Sequence, residues 1–436
     1  MRLELGTFPV REVAFGPETR YRDGLLEIDR AGVLAAVRQN PRIRTAELEL
    51  ARPGESVRIW PVRDVIEPRV KVAGPGVAYP GVCGRPGTMV GEGRTHRLAG
   101  VGVVEVSNVN WHDAGGDFVE LYLDMSGPWA ELVPVSKLLN LCLVVEPDPS
   151  LAIDAQNDAV HSATLAVADL LAECTRALEP PEREIFDLAP RTNPALPGVV
   201  YIWCLHSPQG MSGSLNTFCT GTYGYTQLMS PWVLHPNEAV DGAISGAFKS
   251  ANALSWNVVN NPLLQELCRR HGVDFNFRGV VVFRTEWTTQ REKDLMAEQA
   301  AKTAEMLGAQ GVVVTWDAGG NEFLEVAHIV RTCERRGIKT VFMLCEETSE
   351  GGAPPLFAPL PEADAIVSTG FMWTSVMNLG LIPPVQRVIG NPVKATGVMW
   401  DGLDTSAGPP PTAGPLPPPR RLRDHYGLDT LSSFLY

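Results

Sequence analysis

The strongest constraint on the fold is an alternation in the second half of the chain. Val-rich runs of strand length alternate with amphipathic runs of helix length: GVVYIWCLH (198–206), PLLQELCRRHG (262–272), GVVVFRTE (279–286), REKDLMAEQAAKTAEMLG (291–308), GVVVTWD (311–317), NEFLEVAHIVRTCERRG (321–337), KTVFMLCEE (339–347) and ADAIVSTG (363–370). Nearly continuous apolar strands between helices belong to a mainly parallel sheet covered on both faces, because a parallel pair needs a crossover long enough to hold a helix. The reading for residues 151–395 is therefore a doubly wound α/β domain.

Residues 1–150 read differently. Short β-type runs, AELELAR, SVRIWPV, RVKVAG, LAGVGVVEVSN, DFVELYLDM and NLCLVVEP, are punctuated by Gly and Pro, and GVLAAVRQN is the one helix candidate among them. This predicts a β-rich barrel or sandwich. A helix then begins near Asp154 or Asn157, either of which can cap it, with Val160, Leu165, Ala168, Leu171 and Cys174 close to helical spacing. Residues 396–436 form a third region. GPPPTAGPLPPPRR (408–421) is a polyproline or irregular linker, and RDHYGLDTLSSFLY carries aromatic and aliphatic residues suited to docking, on the chain's own body or on a partner.

With 436 residues the chain is long for one core, which agrees with two main domains. A net charge of −13 argues against nucleic acid, since phosphate neutralisation needs a basic cluster. No apolar run approaches the roughly 18 residues that cross a bilayer, and MRLELGTFPVREV lacks a signal-peptide core, so a cytoplasmic location is expected. The eight cysteines form no CxxC pair. A disulfide framework or structural zinc site therefore has little support, and most of these thiols read as small buried apolar groups.

In doubly wound sheets ligands collect beyond the carboxyl ends of the strands. Asp317-Ala318-Gly319-Gly320-Asn321, Glu346-Glu347 and Ser368-Thr369-Gly370 converge there. Gly319 and Gly320 with Asn321 as helix cap offer free N–H groups to a carboxylate, or simply make a tight turn. Cys204, His206, Cys219 and His235 fit no standard metal spacing; a metal site, a reactive thiolate at Cys219 and ordinary burial are all open. His96, where a loop enters a strand, is a candidate general acid or pocket donor, or a hydrogen-bonded structural histidine. Asp124, in LYLDMSGP, lines a cleft or makes a turn.

Seven segments in one order resemble a known family: DVIEPRVKV (64–72), YPG (79–81), GEGRTHRLAG (91–100), DMSGPWAELVPVSKLLNLCLVVEP (124–147), LHPNEAVDGAISG (234–246), NNPLLQELCRRHGVDFNFRGVVV (260–282) and ERRGIKTVFML (334–344). Together they resemble the component B α/β proprotein of the glycine, sarcosine and betaine reductases, with the proline reductase proprotein a more distant relative. The resemblance implies a proprotein cut in its middle at a cysteine that becomes a pyruvoyl group. That group captures substrate amines, and a companion γ subunit attacks with a cysteine or selenocysteine and reductively breaks a C–N bond.

The corresponding place here is Ala247-Phe248-Lys249. Pyruvoyl formation needs a Ser, Thr or Cys side chain to attack the preceding carbonyl, and neither Phe248 nor Lys249 supplies one. Ser245 and Ser250 lie near, but using them shifts the ketone by several ångströms. The expectation is an uncut chain without a pyruvoyl cofactor, and with no metal. It would be the substrate-binding subunit of an oxidoreductase complex cleaving a C–N or C–S type bond in a small polar substrate, beside a γ-like companion that carries the redox-active Cys or selenocysteine.

Lys249, Cys219 and His96 are the candidate catalytic residues; Ser245, Gly246, Gly319, Gly320, Asn321 and Glu346 are the candidate substrate contacts. Lys249 acts as an amine toward a carbonyl if desolvated, or is a plain surface or anion-binding lysine. Two other readings stay open: a non-catalytic scaffold for a thiol-bearing subunit, and a metal-dependent lyase or hydrolase.

Overall fold

The structure is a computed structural model that describes residues 1–74, 91–109, 121–127, 130–131, 133–205, 223–224, 231–245, 254–285, 289–316, 323–346, 356, 358–371, 384–390 and 432–434. The α/β domain is built on a seven-stranded sheet whose strands run, edge to edge, Trp232–Leu234, Asn276–Arg284, Gly198–Leu205, Gly311–Trp316, Lys339–Glu346, Ala365–Phe371 and Ser432–Phe434. The five inner strands are parallel and the two edge strands antiparallel. The chain steps from Gly198–Leu205 to one neighbour, Asn276–Arg284, and then crosses to the other, Gly311–Trp316. That reversal of direction is the switch point at which a crevice opens in such sheets.

Periodicity explains the covering layers. Helix Gln290–Met306 buries Ala297, Ala300, Ala301 and Ala304, and helix Phe323–Arg335 buries Val326, Ile329, Val330 and Cys333, against Val200, Ile202, Cys204, Val281, Phe283, Val312 and Val314 on one face of the sheet. The other face presents Tyr201, Trp203, Leu205, Val280 and Val282. It is covered by helices Pro236–Val240, Ser255–Val259 and Pro262–Arg270, together with Leu3, Leu5 and Phe186. Within the sheet, the Tyr201 hydroxyl meets Thr315 Oγ1 at 2.7 Å and also accepts from Asn261 Nδ2 at 3.2 Å, so the buried hydroxyls are hydrogen-bonded.

Two larger sheets form the β-rich part. A four-stranded sheet has the order Glu182–Asp187, Arg2–Pro9, Gly93–Ala99, Arg69–Ala73. A second has the path Leu121–Asp124, Val57–Ile66, Val101–Val106, Leu139–Pro147, Ile43–Ala51, and Arg387–Ile389 adds in parallel to Val57–Ile59. The expected helix appears as Ile153–Glu173, and Val160, Leu165, Ala168 and Leu171 pack with Phe8, Val103 and Leu141. Neither expected cap is used: Ala152 occupies the cap position, and Asn157 turns its side chain to other work described below.

The expected junction at residue 150 put this helix and the strand after it in the second unit, yet their partners lie in the first. Strand Glu182–Asp187 pairs antiparallel with Arg2–Thr7, and residues 387–389 also return to the first unit. Apolar periodicity identifies a helix but does not say which sheet it covers. At the other end of the chain, Phe434 pairs with Ile366 and Ser432 with Ser368, so of the two dockings open for the tail, these residues take the chain's own sheet.

Candidate functional site

The expected site residues fall into two groups. Lys249, Cys219, His206, Gly246, Gly319, Gly320 and Asn321 lie outside the described residues. Ser245 closes a short parallel pairing in which Ile244 faces Tyr223 and Ser245 faces Gly224, and Glu346 ends its strand opposite Phe371. At the switch point, Cys204 is level with Phe283 on one neighbour and Trp316 on the other. Thr285 then caps the rim, its N–H and hydroxyl both donating to the Leu205 carbonyl.

His96 is 1% exposed. Its Nδ1 lies 3.0 Å from the Thr175 carbonyl, its ring packs against Phe8, and burial lowers its pKa. Side chains alternate across a strand, so the face opposite His96 belongs to its neighbour Thr95, and Thr95 is the residue that reaches the DGAIS segment.

There Asp241 is fully buried and its carboxylate is enclosed by donors. Lys71 Nζ and the Gly91 N–H donate to Oδ2 at 2.5 and 2.8 Å, and Thr95 Oγ1 donates to Oδ1 at 2.5 Å. Lys71 Nζ also donates to the Glu92 carbonyl at 2.6 Å. Asp241 caps the C-terminus of helix Pro236–Val240, and the next residue, Gly242, has φ +88°, a conformation that a side chain resists. The chain thus turns sharply at a point pinned to two strands of the four-stranded sheet and leads directly to Ser245.

Ten residues beyond Ser245 the same device recurs. Ser255 gives its N–H and its hydroxyl to Asp64 at 2.8 and 2.5 Å, and the Val65 N–H adds a third donor at 2.8 Å. Asp64 is enclosed: burial pushes its pKa up to about 6, even though His161 and Ser255 pull it down. Behind it, Glu105 accepts from Arg63 Nε at 2.8 Å and holds His161 Nδ1 at 2.8 Å, while Arg63 Nη2 donates to Asn157 at 2.5 Å. Burial works against the charge on His161, but Glu105 and Asp64 outweigh it and raise the imidazole above its usual value. Burial would likewise raise Glu105; His161 and Arg63 bring it below the usual carboxylate range.

Two further charge pairs complete the interior of this sheet region. Arg69 binds Glu67 at 2.8 Å and donates to the Val240 carbonyl at 2.9 Å, one residue before Asp241. Arg58 grips Asp124 through two bonds of 2.6 and 2.9 Å, so Asp124 is a buried ion-pair partner rather than a cleft residue.

His235 caps its helix. Nδ1 accepts from the Asn237 N–H at 3.1 Å, and burial with the chain's N-terminal ammonium lowers its pKa to about 4, so it stands as the neutral acceptor. Cys204 is fully buried in the sheet, and no group of three His, Cys, Asp or Glu side chains suited to a metal occurs among the described residues. The eight-residue run from Asp64 to Lys71 contains Asp64, Glu67, Arg69 and Lys71, all buried. These residues were missed as site components. Their signal was a density of charge within a run otherwise apolar enough to be a strand.

Residues 1–408 match the family described as glycine/sarcosine/betaine reductase component B subunits. The chain is 35% identical over 380 residues, 85% of its length and 86% of the relative's, to the sarcosine reductase complex component B subunit alpha of Peptoclostridium acidaminophilum. It is 33% identical over 416 residues, 93% of each chain, to the glycine reductase complex component B subunits alpha and beta of the same organism. The betaine reductase complex component B subunit alpha, also from that organism, is 35% identical over 403 residues, 89% of this chain and 88% of the relative. No solved structure matches this chain.

Proposed function

This chain belongs to the glycine/sarcosine/betaine reductase component B family, and from that premise we propose that it is the substrate-binding subunit of a reductase complex working without a pyruvoyl group. The carrying observation is the match along residues 1–408 combined with Ala247-Phe248-Lys249, where no side chain can open the backbone to make a ketone. The substrate is a small polar molecule bearing a carboxylate, and the bond broken is of C–N or C–S type. A γ-like companion supplies the attacking thiol or selenol, and the complex works in the cytoplasm.

Among this chain's own residues, Ser245 and Gly246 on one side and Gly319, Gly320, Asn321 and Glu346 on the other bind and orient the substrate. A turn opening onto a helix start favours the carboxylate through free N–H groups. Lys249 and Cys219 are the groups proposed to touch the reacting atoms. His96, at 1% exposure, enters this reading as a packing residue rather than a proton donor.

The test is reconstitution with the natural companion. The reading expects turnover of a small amino or thioether acid only when both subunits are present, abolished by replacing the companion's thiol, and lowered by Lys249→Met or Cys219→Ser. Binding without any turnover would favour a scaffold, the reading that the missing nucleophile also supports. Unchanged turnover in both variants would remove Lys249 and Cys219 from the chemistry.

A further inference from the structure

Asp241 and Asp64 sit at the two ends of one stretch of chain. Asp241 precedes it, and Ser255, held by Asp64, follows it. Both carboxylates are 1% exposed or less, and both are met by hydroxyl and backbone donors. The anchoring partners Lys71, Gly91, Thr95 and Asp64 all come from the β-rich part, whereas the helices on either side of the stretch, Pro236–Val240 and Ser255–Val259, cover the seven-stranded sheet.

Burying a carboxylate is costly, and a buried ion pair gains little over an apolar pair for stability. Two such groups bracketing one stretch are better explained by geometry: charge-assisted hydrogen bonds are short and directional, and they fix a backbone in one register.

We propose that Asp241 and Asp64 are positioning residues that clamp the two ends of the 242–254 stretch to the β-rich sheets. The clamp sets where the backbone at Ser245 stands. Its consequence for turnover rests on the assignment of Ser245 and Lys249 to the site given above: both belong to the clamped stretch, so loosening either end weakens substrate binding and slows the chemical step together.

Lys249 is the single Lys or Arg between residues 242 and 254, so trypsin reads the stretch at one bond. Thr95→Val and Ser255→Ala each remove one hydroxyl donor and leave the buried charges paired with their other donors, which spares the fold. Each is expected to speed cleavage after Lys249 in the intact subunit by about tenfold, the size of one lost charge-assisted bond. Thr315→Val, which breaks a buried bond elsewhere, should leave that rate alone, and Ser255→Thr should restore it. In the reconstituted complex both clamp variants should raise KM and lower kcat, since Ser245 and Lys249 both belong to the clamped stretch. Cleavage at the wild-type rate in both variants overturns the clamp. Faster cleavage with unchanged KM sustains the clamp and overturns instead the placing of Ser245 in the substrate site.

Discussion

Ser255 and Asp64 are separated by 191 positions in the chain, yet the serine donates both its N–H and its hydroxyl to the same carboxylate, at 2.8 and 2.5 Å. The pair ties helix Ser255–Val259 to strand Val57–Ile66, and the acid involved is held at a pKa of about 6.

The first prediction concerns pH. Asp64 titrates at 3.8 unfolded and at about 6 folded, so the folded state holds the proton more tightly. Its favourable contribution is complete below 3.8 and is lost as pH rises through about 6. The difference amounts to about 3 kcal/mol at neutral pH. Denaturant unfolding of wild type and Asp64→Asn across this window should show the variant gaining on the wild type as pH rises. A gap that does not change with pH would refute this.

A second prediction concerns Glu105, which holds both Arg63 and His161. Glu105→Gln takes a buried carboxylate away from Arg63 and should cost about 3–5 kcal/mol. The same change removes the larger of the two acidic influences that raise the His161 pKa, leaving Asp64. The stabilising effect of that raised pKa is complete below 6.5 and lost as pH climbs through the folded value, so it should shrink in the variant. Histidine titration by NMR of wild type and variant reads this directly.

Arg58 and Asp124 supply a third test. Asp124→Ala takes the carboxylate away from the buried Arg58 and should cost about 3–5 kcal/mol, whereas Arg58→Met with Asp124→Leu removes both charges and should lie much closer to wild type. If the double variant is no more stable than the single, the pair contributes more than mutual neutralisation.

The fourth is covalent. Freshly purified protein should give one intact mass near 47.3 kDa and should not react with carbonyl reagents. Two polypeptides, one of them blocked by a pyruvate-derived end, would overturn the uncut reading.

The elements of the α/β sheet could be read in advance because their information is local. A strand buried on both faces, such as Val199–Cys204, must be apolar throughout, and helix Pro262–Arg270 must repeat its apolar residues at Leu264, Leu267 and Cys268. Assignment of elements to sheets was less legible. Nothing near residues 182–187 or 387–389 announces a partner in strand Arg2–Pro9 or Val57–Ile66. The site was hardest. His96 drew attention as a histidine in a glycine-rich loop, while its neighbour Thr95 makes the contact with Asp241, and only strand alternation in three dimensions separates them.

By itself the sequence determined the inner strands of the α/β sheet and the helices Pro262–Arg270, Gln290–Met306 and Phe323–Arg335 between them, the relationship to component B subunits, and the lack of a nucleophile at residues 247–249. Tertiary structure alone decided that Asp64, Lys71, Glu105 and Asp241 are buried and whom they meet. The reason is range. Burial patterns repeat every two to four residues, but the side-chain partners found here for Asp64, Lys71, Glu105 and Asp241 lie 42 to 191 positions away, where no local pattern points.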